Sequence, residues 1–412
     1  MTYARAEAYL LELELFGMRL GLERMHRLST ALGRPESRFD SIHVVGTNGK
    51  SSTARMISAL LRRHGLSVGS YTSPHLRSFA ERIEVDGRPV EDEDFAAAVE
   101  RTARSVADVD AAAEDPDDRV TQFEALTGAA FSELARREVE VAVIEAGLGG
   151  RLDATNVVSS RVTALTSVGL EHTRWLGTTV AEIAAEKLAV LGEGATLVTG
   201  ELPPEADEVA ERSAAALHAR RIRASPWGGP ALRARGAFQR GNFGVAVAAA
   251  EAFAGPLAPD GLREVAGRVE VPGRLEEVGR APLVLLDGAH NPPGALALSR
   301  ALPEVLEGRA LTLVFGVLDD KDALAMLATL TPRAEHVIFT RPAHPRGVPP
   351  AALAAREQVA GGGRVEVVED PGPALERARA LAGPEGAVLV TGSLHLVGEI
   401  TRGRRLAAAA TA

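Results

Sequence analysis

Residues 42–65 read IHVVGTNGKSSTARMISALLRRHG, and this stretch decides the fold. Ile42–Gly46 is a short β-branched run of the kind a fully buried strand needs. Ser51–Gly65 repeats its apolar residues at helical spacing and closes on a glycine. Between them lie Gly46, Thr47, Asn48, Gly49 and Lys50, followed by Ser51 and Ser52. A glycine-rich turn between a strand and a helix lets backbone N–H groups approach phosphate oxygens, and the helix N-terminus adds positive potential. In that context Lys50 reaches terminal phosphates as a point charge, and Ser51 or Ser52 offers a hydroxyl near a Mg²⁺ ion. The spacing is shorter than that of the commonest phosphate loop, which places a glycine where Val44 stands.

The same alternation continues outward. SVGSYTS (67–73), VEVAVIEAG (139–147) and RVTALTSVG (161–169) read as strands; TQFEALTGAAFSELARRE (121–138) and TVAEIAAEKLAVLG (179–192) read as helices. EDPDD (114–118) reads as an exposed loop. Strand–helix alternation of this kind predicts a parallel sheet covered by helices on both faces. VEVPGRLEEVGRAP (269–282) has proline near both ends and reads as a hinge, which places the domain boundary near 278–282. Beyond it LVLLD (283–287), ALTLVFGVL (310–318), HVIFT (336–340), RVEVVED (364–370) and GAVLVTG (386–392) predict a second, smaller α/β sheet. A length of 412 residues fits two domains.

Composition narrows the class. A net charge of −9 argues against nucleic-acid binding while leaving room for a local anion pocket. No apolar run reaches the ~18 residues of a membrane span. Glu7, Glu12 and Glu14 interrupt the N-terminal apolar periodicity, which reads as an amphipathic helix and not a signal peptide. The absence of cysteine excludes disulfides, thiolate nucleophiles and cysteine metal sites. A cytoplasmic protein is expected. Of 46 basic residues only three are lysine: Lys50, Lys187 and Lys321. A lysine retained in so arginine-rich a chain marks a place where a compact, reactive amine does what a guanidinium cannot.

Set beside these blocks, the chain resembles the dihydrofolate synthase/folylpolyglutamate synthase family, a branch of the Mur ligases. The resemblance rests on LGLERM (20–25), HVVGTNGKSS (43–52), TSPHL (72–76), ERI (81–83), TQFEALTGAAF (121–131), EAGLGGRLDATN (145–156) and SVGLEHTRWLG (167–177). It continues through EKLAVL (186–191), VPGRLE (271–276), DGAHNP (287–292), GVLDDKD (316–322) and TGSLHLVGEI (391–400). The blocks keep the family's order along almost the whole chain. Two departures are visible: Ser51 stands where the family usually has glycine, and Glu171-His172 replaces an Asp-His pair.

The resemblance implies an α/β protein with an N-terminal P-loop ATPase-type domain (1–278) built on a parallel-rich sheet. A smaller Rossmann-like glutamate-ligase domain (279–412) follows. It implies an ATP-dependent ligase that joins L-glutamate to 7,8-dihydropteroate or a reduced folate through an acyl phosphate. Gly46–Ser52, Asn242, Arg274, Asp287 and His290 are implied to bind ATP, with Asn242 at the adenine. Ser73, Glu145, His172 and Lys187 are implied to hold Mg²⁺, two ions in all, with Lys187 carbamylated. Lys50, His172 and Lys187 are the implied catalytic residues. LGLERM and TQFEALT are implied to touch the pterin, and Ser393 the incoming glutamate. GLGG (147–150) is implied to shape the substrate cleft between the domains, and is not read as a dinucleotide site. Lys321 is either a site residue or part of a solvated charge cluster. Domain closure about the hinge would exclude water from the acyl phosphate. A monomer is expected, since a two-domain cleft needs no partner. The alternatives are a Mur-type ligase acting on a cell-wall precursor, disfavoured by the little room before residue 46, and a P-loop ATPase without ligase activity.

Overall fold

The computed structural model describes residues 1–14, 21–115, 118–360 and 364–410. Leu20 of LGLERM, residues 116–117 of the acidic loop and the last two residues of the chain lie outside them. Contacts divide the chain into two compact units, Met1–Ala231 with Gly241–Val269, and Leu232–Arg240 with Glu270–Ala412.

The first unit is built on eight strands: β1 (Asp40–Val45), β2 (Val68–Tyr71), β3 (Ile83–Val85), β4 (Arg88–Pro89), β5 (Val141–Glu145), β6 (Val162–Leu165), β7 (Thr196–Thr199) and β8 (Arg220–Arg223). They run in the order β4-β3-β2-β5-β1-β6-β7-β8. From β2 through β8 all neighbours are parallel, and β3 and β4 add an antiparallel edge. The central strands are buried along nearly their whole length, which is why β1 and β5 read as continuous apolar runs. Each fully buried Ile or Val side chain contributes about 1.5–3 kcal/mol, and Ile42, Val143 and Ile144 are wholly buried.

Local signals set the helices around this sheet. The helix Lys50–His64 starts at Gly49 and stops at Gly65, whose φ of 105° suits only glycine well. Gln122–Arg136 and Val180–Leu188 each begin with a reciprocal capping box, Thr121 with Glu124 and Thr179 with Glu182. The second of these ends at Leu188, so Lys187 occupies its last turn. TQFEALT and LGLERM meet through a buried ion pair, Arg24 Nη2 to Glu124 Oε1 at 3.2 Å.

The second unit carries β9 (Glu276–Arg280), β10 (Leu283–Leu286), β11 (Leu311–Phe315), β12 (His336–Phe339), β13 (Arg364–Val367) and β14 (Ala387–Thr391), in the order β13-β12-β11-β14-β10-β9. All pairs are parallel except β9 with β10. The smaller second α/β sheet is as expected. The 269–282 hinge is not a loop throughout: its residues 276–280 form β9, an edge strand. Leu232–Arg240 joins this unit, with Phe238 packed on its core and Arg235 paired with Glu277. Among the described residues no helix is long and apolar enough to cross a membrane.

Candidate active site

The phosphate-type loop leaves β1 at Gly46, whose φ is 150°. A Cβ there would collide with Thr166 Oγ1 and lie 3.1 Å from Ser167 O, so only glycine fits. Gly49, at φ 87°, stands against the side-chain amide of Asn242. The end of β6 clamps the turn between them. Thr47 N–H donates to Ser167 O at 2.8 Å, Asn48 N–H donates to Ser167 Oγ at 3.0 Å, and Thr166 Oγ1 donates to Asn48 O at 2.6 Å. Lys50 folds back over the loop, its Nζ donating to Gly46 O at 3.0 Å and Thr47 O at 3.3 Å.

Lys187 reaches the same carbonyl from another helix, donating to Gly46 O at 2.9 Å. It is 3% exposed. Burial, reinforced by the charge of Lys50, pushes the Lys187 ammonium down to about 7, while Glu171, Asp153 and Glu186 pull the other way. An amine in that range is substantially neutral at physiological pH, and the neutral amine is the nucleophilic form. The GLGG turn supplies the wall behind it: a Cβ on Gly150 would lie 2.6 Å from Lys187 O and 2.8 Å from Glu186 O. Its glycines therefore permit a close backbone approach to the helix that carries Lys187. Buried Asp153 holds the turn by accepting from Leu148 N–H at 2.7 Å.

Glu145, at the end of β5, is 1% exposed. Its Oε1 accepts from Ser51 Oγ at 2.8 Å and its Oε2 from Ser73 N–H at 3.0 Å. Three of the residues expected near Mg²⁺ or the phosphates thus converge, and a buried carboxylate with a hydroxyl beside it is a hard-oxygen donor set that fits a small divalent cation. Ser51, which departs from the family pattern, makes this contact. His172 begins a short helical turn in the left-handed region, at φ 49°, with its Nε2 3.8 Å from Glu171 Oε1. Glu171 in turn acts on the charge of Lys187. Among the described residues no cluster of three or more His, Asp or Glu forms a ready-made metal cage.

The second unit places Arg274, Asp287 and His290 around one loop. Asp287, buried at the end of β10, accepts from Leu275 N–H at 2.9 Å and Ala289 N–H at 2.8 Å. Burial raises its carboxyl, and Arg274 opposes the shift. Arg274 donates to Gly273 O at 3.1 Å, and a Cβ on Gly288 would collide with that guanidinium. His290 Nδ1 lies 2.8 Å from Gly288 O. Ser393 is buried and accepts from His395 N–H at 3.1 Å. Lys321 pairs with Asp320 at 3.2 Å. Thr166, Ser167 and Asp153 were not among the residues singled out in the sequence, because hydroxyl and carboxylate clamps carry no spacing signature.

A glycine turn on a buried parallel strand, with two lysines on one of its carbonyls, defines a nucleotide-dependent α/β enzyme of the P-loop class. Residues 273–394 match the Mur ligase, glutamate ligase domain. The chain is 33% identical over 416 residues to the dihydrofolate synthase/folylpolyglutamate synthase of Bacillus subtilis, covering 94% of this chain and 95% of that protein. It is 36% identical to a probable bifunctional folylpolyglutamate synthase/dihydropteroate synthase of Haloferax volcanii, but 97% of this chain spans only 50% of that protein. Its fold matches Mycobacterium tuberculosis folylpolyglutamate synthase complexed with ADP at a TM-score of 0.89 and 33% identity, covering 97% and 98% of the two chains. A bifunctional folylpolyglutamate synthase/dihydrofolate synthase with Mn, AMPPNP and L-glutamate bound matches at 0.86 and 30% identity, over 98% of each chain. This chain belongs to the dihydrofolate synthase/folylpolyglutamate synthase family of Mur ligases.

Proposed function

We propose that the protein joins L-glutamate to the free carboxylate of 7,8-dihydropteroate, of a reduced folate, or of both, at the expense of ATP. The substrate carboxylate attacks the γ-phosphorus and ADP leaves, giving an acyl phosphate. The glutamate amine then attacks that carbonyl, loses its proton and expels inorganic phosphate as the amide forms. The observation that carries this reading is the convergence of Lys50 and Lys187 on Gly46 O, because such chemistry is mostly positioning and neutralisation of phosphate charge.

Each residue has a role in that scheme. The Gly46–Ser52 turn cradles phosphates, Lys50 meets the transferred group, and Asn242, beside Gly49, faces the adenine. Arg274, Asp287 and His290 serve the nucleotide from the second unit. Glu145, Ser73 and His172 would hold Mg²⁺, two ions in all, which when bound offsets charge on the phosphates and the transferred group. Lys187, with its depressed pKa, takes up CO₂: the neutral amine nitrogen bonds the carbon and releases one proton, giving an anionic oxygen donor, and from the ammonium form a second proton is lost first. The relative solved with Mn, AMPPNP and L-glutamate bound supports a divalent metal, a nucleotide and glutamate as what the site takes. A cytoplasmic monomer is the setting we propose.

The test is ADP release with ATP, Mg²⁺ and L-glutamate, comparing dihydropteroate with tetrahydrofolate and weighing the product. Glutamate-dependent turnover with either pterin supports the reading and says which step is served. ATP turnover indifferent to glutamate would replace it with a P-loop ATPase, and turnover only on a cell-wall precursor with a Mur-type ligase.

A further inference from the structure

His43 lies on β1 three residues before Gly46, so its place in the chain puts it beside the phosphate loop. Its side chain serves another part of the first unit. The imidazole is wholly buried, and burial pushes it down to about 4, so the ring is neutral. Its Nε2 lies 2.8 Å from Thr155 Oγ1, 112 residues along the chain. Thr155, also wholly buried, belongs to the helical turn Ala154–Val157 that follows the GLGG segment.

The direction of this contact is fixed by the next one. Thr155 Oγ1 donates its single hydrogen to Asp153 Oδ1 at 2.5 Å, so toward His43 it can only accept. His43 is therefore the Nε2–H tautomer, and its Nδ1 has no partner among the described residues. Asp153 collects further donors: Oδ1 takes Thr155 N–H at 3.0 Å and Oδ2 takes Leu148 N–H at 2.7 Å. Burial raises that carboxyl, and the donors from Thr155, Leu148 and Gly147 oppose the shift. Hydrogen bonds thus reach Asp153 from the sheet on one side and from the GLGG turn on the other. The turn has little room to move. A Cβ on Gly147 would lie 2.5 Å from the Phe123 ring, and one on Gly150 would lie 2.6 Å from Lys187 O. Arg151 N–H donates to Glu186 O at 3.1 Å. GLGG is wedged between Phe123 of TQFEALT and the helix Val180–Leu188.

We propose that His43 is a positioning residue for the pterin substrate and not for the nucleotide: through Thr155 and Asp153 it sets where the GLGG turn stands against Phe123. The inference rests on the ligase reading above, with TQFEALT on the pterin side, and adds a residue which that reading does not use. Being wholly buried, His43 touches no reacting atom. A polar ring inside a central strand carries a desolvation cost that an apolar residue avoids, and what the apolar residue cannot supply is the N–H. Without that N–H, Thr155 loses one of its two side-chain partners, its hydroxyl is free to turn, and Asp153 and the turn it holds can shift. The strand itself, packed between β5 and β6, keeps the phosphate loop in place. The defect therefore falls on the substrate that meets Phe123.

The test is steady-state ADP release by His43→Leu and His43→Gln, varying ATP, L-glutamate and the pterin that the wild type accepts, each in turn. His43→Leu should raise the KM for the pterin about five- to tenfold, the weight of one buried hydrogen bond. The KM values for ATP and glutamate should stay where they are. His43→Gln, whose side-chain amide can donate to Thr155, should recover most of the loss. An equal rise in the ATP KM would overturn the proposal by giving His43 to the phosphate loop. An unchanged pterin KM, or a glutamine variant as impaired as the leucine one, would overturn it while leaving the ligase reading intact. Wild-type protein with no glutamate-dependent turnover would remove the ligase reading and this inference with it. Should the variants fail to fold, ¹⁵N-histidine-labelled wild-type protein titrated with the pterin decides. An Nε2–H ring of His43 whose resonances move with the pterin supports the proposal. An Nδ1–H ring, or one that saturating pterin leaves unmoved, refutes it.

Discussion

The two units share one construction, a buried parallel strand that ends in a short loop and enters a helix, yet the two helices begin differently. After β1, the loop has glycine at 46 and 49, and Gly49 begins the helix with no side chain to cap it. Its N-terminal end carries the positive pole of the helix dipole with no side-chain cap upon it. After β10, Asn291 Oδ1 accepts from Gly294 N–H at 2.8 Å, and Pro292 and Pro293 have no N–H to give. Asp287 absorbs the N–H groups of Leu275 and Ala289. The side chain this junction presents is His290, whose Nδ1 lies 2.8 Å from Gly288 O. A few residues decide how the helix begins at the same topological place.

The comparison can be broken most sharply at Lys50. Lys50→Ala should lower ligase turnover about 10²–10³-fold, the size of effect seen when a donor to developing charge is removed. ATP kinetics that stay unchanged would remove the cradle assignment. Lys187→Arg keeps the charge but cannot form a carbamate, and should cost about 10- to 100-fold in activity. With the wild type, activity should fall below pH about 7 as the ammonium form takes over, and bicarbonate should restore activity lost in CO₂-depleted buffer. The arginine variant should show neither effect. The linked stability has a definite sign. The folded-state value lies below the ordinary lysine value of 10.5, so the unfolded chain binds more protons between about 7 and 10.5. Stability should rise with pH across that window, and denaturation midpoints of wild type and Lys187→Met, which has no such group, would diverge there.

Smaller effects sharpen the contrast between the loops. Gly46→Ala forces a side chain into a glycine-only backbone region and onto Thr166, and should cost about 1–3 kcal/mol together with nucleotide affinity, measured by melting with and without ADP. Asn291→Ala removes a helix cap and should cost about 1 kcal/mol, leaving the KM for ATP where it was. If the second variant disturbed nucleotide binding as much as the first, the two junctions would be the same device.

Much of this was legible in the residues. The strand–loop–helix of 42–65, both parallel sheets and the singling out of Lys50 and Lys187 follow from local patterns: apolar runs, helical spacing, glycine placement and lysine scarcity. Of the edge strands, β13 was read from RVEVVED, and β4, β8 and β9 were not legible. β4 is two exposed residues and β8 reads RRIR, because an edge strand has one side without a neighbour and needs no apolar alternation. β9 was masked by the prolines and glycines around it, which suggested a hinge.

What the sequence determined by itself was therefore which residues have unusual chemistry and which local element carries each. Only the tertiary structure decided which of them meet. Lys187 and Gly46 are 141 residues apart, and Glu145 and Ser51 are 94 apart. Lys50, Ser51 and Glu145 are brought together because β1 lies between β5 and β6, so that loops distant in the chain leave adjacent parallel strands at the same edge. The depressed pKa of Lys187 has the same origin. It comes from burial and from the charge of Lys50, and neither is a property of a residue or of its neighbours in sequence.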